Sequence, residues 1–303
     1  MKPATRHAGE ASSDSHSACA AIWMSLGLPG IIDVHTHFMP KRVLDKVWAY
    51  FDRASPLIGR QWPVAYRTDE AERVETLRGF GVRKFTSLVY PHKPGMAAWL
   101  NEWAGEFAAS TPECLATATF YPEPDAARYV DAALRAGTRI FKAHLQVGDY
   151  DPNDPQLDDV WAMIDDANVP VVIHCGSGPR PGRFTGPAPI LALLQRRPRL
   201  PLVIAHMGMP EYGEFMDLAE RFSNVRLDTT MVFTPFTDET MPFPRDELAR
   251  LRRIGDRILF GSDFPNIPYL YADVLRSLTE VAGVDEDWLR GVLYHNAAQL
   301  FSL

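Results

Sequence analysis

From residue 69 to the C-terminus, short apolar runs alternate with amphipathic stretches, and this alternation limits the fold more than any other feature of the chain. DEAERVETLRGFG (69–81) opens with Asp69 and Glu72 in capping-box spacing. It carries Val74, Leu77 and Phe80 on one face and stops at glycine, which predicts a helix. FTSLVY then reads as a strand and MAAWLNEWAGEFAAS as a helix. The pairing recurs through the strands LATATFYPE, TRIFKAHLQ, VPVVIHCG, LPLVIAHMG, NVRLDTT and RILFGSDF, with a helical stretch between each and the next. DEDWLRGVLYHNAAQLFS closes the chain. With IIDVHTH ahead of them, eight strands alternate with helices. Short apolar strands are what parallel strands buried on both faces look like. Eight βα units in about 270 residues predict an α/β fold, a (β/α)8 TIM barrel. No GxGxxG follows the first strand, which argues against a dinucleotide-binding sheet. Residues 1–29 read as a loosely attached N-terminal leader, partly helical around AIWMSLGL. Residues 30–303 read as one barrel domain with an insert after strand one, at roughly 38–67.

The charge balance narrows the partners. With 31 basic and 38 acidic residues the net charge is −7, and no basic block interrupts the chain. Nucleic acid and anionic membrane are therefore not expected as partners. No apolar run reaches the ~18 residues of a membrane helix, and the polar start does not read as a signal peptide. Cys19, Cys114 and Cys175 are odd in number and scattered. A disulfide framework is not expected from them, and the expected compartment is the reducing cytoplasm. The expected partner is a small-molecule substrate, and assembly into a homo-oligomer is compatible with this reading.

In such a barrel, chemistry belongs at the C-terminal ends of the strands. IIDVHTHFMP carries Asp33, His35 and His37 at alternate positions. On a strand, Ile31, Asp33, His35 and His37 share one face, with Val34 and Thr36 on the other. Strand four carries Lys142 and His144, strand five ends in His174, strand six in His206 and strand eight in Asp263. One buried histidine is ordinarily a satisfied core residue. Four histidines and an aspartate at equivalent strand ends converge, and desolvating them calls for a partner such as a metal ion.

The set DVHTHF, VVIHCG, VIAHMG and LFGSDFP, in this order and spacing, resembles the amidohydrolase superfamily. It is most similar to the branch of metal-dependent hydrolases and decarboxylases related to aminocarboxymuconate semialdehyde decarboxylase. The resemblance spans about residues 31 to 303 and includes the closing HNAAQLF. It implies one divalent metal ion, commonly zinc, held by His35, His37, His174 and Asp263, with His206 as general acid/base. Such an ion lowers the pKa of bound water and polarises a carbonyl. Asp263 is also a candidate proton acceptor from that water, and His206 a proton shuttle.

Other residues are candidates for the mouth of the site. Lys142 is read as a hook for a substrate carboxylate; a carbamylated bridge between two metals and a salt-bridged barrel residue are its alternatives. His144 shares its face. Tyr90 and His92 follow strand two, and Arg180 and Arg183 follow strand five, where an arginine can clamp a carboxylate bidentately. Trp62 and Tyr66 in the insert serve either as a lid or as packing anchors. Cys175 should point away from the barrel axis because His174 points toward it.

The function these residues support is metal-dependent hydrolysis of an amide, ester or lactone of a small carboxylated compound, through a metal-activated water. Nonoxidative decarboxylation of a small aromatic or muconate-like acid is the alternative, and a non-catalytic metal-binding barrel is the alternative from another class. The ligand set leads to an expected stoichiometry of about one divalent ion per chain by elemental analysis. Two ions per chain, bridged by a modified Lys142, would overturn the mononuclear reading.

Overall fold

The computed structural model describes residues 8–283 and 285–303; residues 1–7 of the leader reading lie outside these. The strands are Ile31–Asp33, Val82–Thr86, a third in two pieces (Cys114–Leu115 and Thr117–Thr119), Ile140–His144, Val171–His174, Leu202–Ile204, Val225–Asp228 and Ile258–Leu259. Neighbours pair in parallel and in chain order. The ring is drawn together at its seam by Val34, whose N–H donates to the Phe260 carbonyl at 3.0 Å. This is the expected TIM-barrel arrangement.

Alternation along the strands divides the core into two. Ile32, Val34, Ile140, Val172, Val203 and Leu259 fill the barrel interior. Val171, Ile173, Ile204 and Leu227 face outward, into the larger cluster shared with the helices. Cys175 belongs to that outer cluster, as its place after His174 predicts.

Strand one departs from the simple alternation. It ends at Asp33, so Ile31 and Asp33 do not share a face with the two histidines. Ile31 packs in the outer cluster, and Asp33 Oδ2 accepts a hydrogen bond from the Tyr271 hydroxyl at 2.9 Å. Asp33 Oδ1 accepts the His35 N–H at 3.1 Å. This turn of an Asp side chain onto the backbone two residues on bends the chain. The bend brings His35 inward, out of phase with the strand.

The leader is also more firmly held than its polar composition suggests. Ala8–Ser25 is one helix, and it packs against helices Glu70–Phe80 and Tyr271–Ala282. Cys19 is fully buried, and Leu26 and Leu28 beyond the helix are buried too. Trp23 Nε1 donates to the Phe80 carbonyl at 3.1 Å. The contact is aromatic at its centre: Phe80 stacks on Tyr271 with centroids 4.7 Å apart and meets His16 edge-on at 5.1 Å.

Helix Tyr271–Ala282 follows strand eight, where the sequence reading placed no element. Its buried positions Tyr271, Val274, Leu275, Leu278 and Val281 follow the helical period, so the signal was present in YADVLRSLTEVA. The insert holds helices Lys41–Phe51 and Ser55–Ile58. Trp62 and Tyr66 act as packing anchors. Trp62 Nε1 donates to the Asn266 carbonyl at 2.7 Å, and the Tyr66 hydroxyl accepts the Tyr271 N–H at 2.8 Å. Among the described residues, no helix is long and apolar enough to cross a membrane.

Phe80 joins the N-terminal helix to the barrel wall. Phe80→Ala should lower the unfolding free energy by about 3–5 kcal/mol, the usual cost of deleting a buried aromatic ring. Urea denaturation checks this; a loss well under 1 kcal/mol would show that the N-terminal helix contributes little to the fold.

Candidate metal centre

The strand ends bring His35, His37 and Asp263 together. One ligand atom from each lies within 4.8 Å of the others, and all three residues are buried. Asp263 Oδ1 is 2.9 Å from His37 Nε2 and 3.5 Å from His35 Nε2. Local backbone geometry produces this meeting. Asp263 sits at a positive φ of 70°, a conformation aspartate tolerates better than most residues. Its N–H donates to the His35 carbonyl at 2.9 Å, which stitches strand eight to strand one. Gly261 allows the approach: a Cβ there would lie 2.1 Å from Thr230 Oγ1 and 2.7 Å from His35 Cβ.

The outer nitrogens of both histidines are committed. His37 Nδ1 donates to the Leu88 carbonyl at 2.8 Å. His35 Nδ1 lies 2.9 Å from Asp228 Oδ2, to which it donates. A neutral imidazole carries one N–H, so each Nε2 presents a lone pair toward the Asp263 carboxylate. Lone pairs facing a carboxylate in a buried site require a positive charge between them. A divalent ion meets that requirement, and the donor set of two imidazoles and a carboxylate suits one.

Burial alone would raise the Asp263 carboxyl. Its imidazole neighbours, His37 first and then His35 and His206, outweigh burial and hold it well below the usual carboxylate range. His35 is lowered by burial first and by Lys142 next.

The other sequence candidates divide into two groups. His174, His206, Lys142, His144 and Tyr90 line the same cavity, of about 960 Å³. Strand register sets His144 beside His174, and their rings stack with centroids 4.1 Å apart. His174 Nε2 donates to the Gly178 carbonyl at 3.1 Å, which leaves Nδ1 as its lone-pair nitrogen. His206 turns into the site through a left-handed backbone, φ 55°. Its Nδ1 donates to the Thr230 carbonyl at 3.1 Å, so Nε2 is the nitrogen left for chemistry. The ring stands 5.0 Å from that of His35 and 4.8 Å from that of His174. Lys142 is wholly buried, with Nζ 3.3 Å from His35 Nε2. Burial lowers its ammonium to about 8, against the opposing pull of Asp228 and Asp263. Arg180 and Arg183 are exposed and do not line the cavity; the Arg183 guanidinium lies over the Phe184 ring instead.

Two residues escaped the sequence reading. Asp228, fully buried at the end of strand seven, holds His35 through Oδ2; its Oδ1 accepts the N–H groups of His206 at 2.8 Å and Thr230 at 3.1 Å. The rule that found the others, an ionisable residue ending a barrel strand, applies to it in NVRLDTT. Asn266 lies three residues beyond Asp263 and lines the cavity. Its Oδ1 accepts the Trp48 indole N–H at 3.0 Å, which fixes the amide orientation. No local sequence signal marks that role, because the partner comes from the insert.

Residues 32–303 match the family described as Amidohydrolase. The chain belongs to the amidohydrolase family. Members of this family are enzymes, hydrolases and decarboxylases among them, and members hold a divalent metal such as manganese. No curated protein matches the sequence. Among solved structures, it is similar to an uncharacterised TIM-barrel protein of Bordetella bronchiseptica, at 20% identity over 90% of this chain and 98% of the other, TM-score 0.71. A 5-carboxyvanillate decarboxylase of Novosphingobium aromaticivorans, complexed with manganese and 4-hydroxy-3-methoxy-5-nitrobenzoic acid, matches at 14% identity over 90% and 96%, TM-score 0.64. A probable 2-pyrone-4,6-dicarboxylic acid hydrolase of Acinetobacter baumannii with bound citric acid matches at 14% over 90% and 100%, TM-score 0.61. At these identities the likeness establishes the barrel fold of this amidohydrolase.

Asp228 generates a test of the centre. In Asp228→Asn one acceptor oxygen becomes an NH2 group. If the amide oxygen keeps the two backbone N–H groups, the NH2 faces His35 Nδ1 and forces the tautomer that carries its proton on Nε2. Affinity for a divalent ion should fall roughly 10–100-fold, the usual effect of losing such an orienting partner. Competition with a chromophoric chelator measures it; unchanged affinity would remove Asp228 from the support of the centre.

Proposed function

We propose that this amidohydrolase is a mononuclear metal-dependent hydrolase acting on an amide, ester or lactone of a carboxylated compound. The observation that supports it most is the buried meeting of His35, His37 and Asp263, with both histidines tied back through Nδ1. His174 is the proposed fourth ligand, through Nδ1, because its Nε2 is engaged by Gly178. A divalent ion held there, zinc in this reading, would supply Lewis acidity and make water a better nucleophile near neutral pH.

The chain's own groups then have defined tasks. Asp263, ionised across the neutral range, accepts the proton of the attacking water. His206, kept neutral by burial, takes that proton from Asp263 on Nε2 and passes it to the leaving group. Lys142, whose ammonium burial lowers to about 8 against the pull of Asp228 and Asp263, takes the substrate carboxylate as an ionic hook. Its wholly buried Nζ forms no ion pair among the described residues, which supports a partner brought by the substrate. Asn266 adds a neutral donor: with Oδ1 held by Trp48, its NH2 group is left for a substrate oxygen. Tyr90 and His144 form the adjoining wall. Arg183 would reach substrate only through movement of its loop. The buried free cysteines suit a reducing cytoplasm.

Decarboxylation of an aromatic or muconate-like acid is the second reading, and the fold likeness to a 5-carboxyvanillate decarboxylase favours it. Assaying lactones and aryl esters for acid release, and aromatic acids for carbon dioxide release, separates the two. Loss of activity on chelation in neither assay would leave the non-catalytic barrel. Asp263→Asn keeps the side chain's size and one acceptor oxygen but removes the charge. Turnover should fall by roughly 10²–10⁴ while most of the metal stays, the usual share of a positioned acid or base. A variant with near-normal turnover and an unaltered pH profile would remove Asp263 from the mechanism.

A further inference from the structure

The cavity is larger than its reactive floor requires, and its far end has a different chemistry. About 960 Å³ lies at the upper end of the range for small-molecule sites. The floor is polar and the middle is apolar, with Val43, Val47, Met96 and Met231 among its walls. The mouth is basic. Arg42 and Lys46 lie one turn apart on helix Lys41–Phe51, and Lys93 comes from the loop after strand two. All three are exposed and line the cavity.

These three cations gather at one opening. The chain is acidic overall, with net charge −7. Arg67, Arg78, Arg196, Arg250 and Arg290 all have carboxylate partners. Arg42, Lys46 and Lys93 have none among the described residues. The guanidinium of Arg42 is placed by Trp99, 4.5 Å from the ring centroid. Helix Lys41–Phe51 and the loop after strand two meet at this cavity, which Arg42, Lys46, His92 and Lys93 all line. The acids nearby are engaged: Asp45 with Lys41, and Glu123 with the Gly95 N–H and the Tyr129 hydroxyl. Asp263, on the floor, is the one carboxylate lining the cavity among the described residues. Like charges left unpaired around an opening focus their field into it and attract anions.

We infer that Arg42, Lys46 and Lys93 form an anion subsite at the cavity mouth. The substrate is then an elongated amphipathic anion, with its reacting carbonyl at the His and Asp cluster, an apolar middle, and a distal carboxylate or phosphate at the mouth. This inference rests on the same cavity as the hydrolase reading, but its test needs no turnover. The probe is 8-anilinonaphthalene-1-sulfonate, whose sulfonate is a poor metal ligand; N-phenyl-1-naphthylamine is the neutral control. Both are titrated by fluorescence against the metal-loaded protein.

Lys46→Glu should weaken the sulfonate dye about tenfold, as expected for two charge units a few ångström away in a water-like dielectric. The neutral dye should change less than about twofold. Arg135→Glu makes the same charge change at the C-terminal end of helix Ala126–Arg135, at the opposite end of the barrel, and should leave both dyes unaffected. Equal weakening by the two variants, equal weakening of the two dyes, or an unchanged sulfonate affinity would each overturn the subsite. Octyl sulfate, whose head group is likewise a poor metal ligand, should displace the sulfonate dye well below the concentration at which octanol does. Octanol displacing it equally well would overturn the anionic preference. If no ester, lactone or acid is turned over, the hydrolase reading fails while these dye results stand unaltered.

Discussion

One carboxylate organises most of this site. Asp228 reaches His35 with one oxygen and the backbone of His206 and Thr230 with the other. It fixes the tautomer of a metal-ligand candidate and the left-handed turn that presents the proposed proton carrier. Without it, His35 Nδ1 would be an unmatched buried donor, a cost of about 1–3 kcal/mol. Asp33 does the corresponding work behind strand one, where it accepts from His35 N–H, Ser262 N–H and the Tyr271 hydroxyl. The residues that face the cavity are therefore held by carboxylates that do not line it.

The barrel was legible because parallel strands buried on both faces leave a repeated mark on the sequence. Helix Tyr271–Ala282 leaves its own mark, a helical spacing of apolar residues in YADVLRSLTEVA. The strand-end rule found His174, His206, Lys142 and Asp263. It failed for the geometry of strand one, since strict alternation does not foresee a side chain that bends its own backbone. Asp228, which ends the strand in NVRLDTT, obeys it too. Asn266 was beyond its reach: what matters there is an indole more than two hundred residues away in sequence. Helix Ala8–Ser25 has a polar composition, yet a few side chains, Cys19 and Trp23 above all, suffice to dock it.

The insert after strand one contributes more than cover. Trp48 and Trp62 both hold Asn266, and helix Lys41–Phe51 supplies cavity wall and part of its mouth. The same short segment therefore sets the position of the loop that follows Asp263 and the character of the entrance. Changes in this segment offer a way to alter what enters without touching the floor. Loops on a rigid barrel are where such variation is tolerated best.

The seam between strands one and eight has a consequence for synthesis of the chain. His37 and Asp263 meet across 226 residues, and the Val34 and Asp263 N–H groups bond across the same seam. A polypeptide emerges from its N-terminus, so His35 and His37 wait for nearly the whole chain before their acidic partner exists. Closing the ring and bringing His35, His37 and Asp263 together are one event, and it comes late. A chain that ends before strand eight lacks both Asp263 and the seam that holds it against His35.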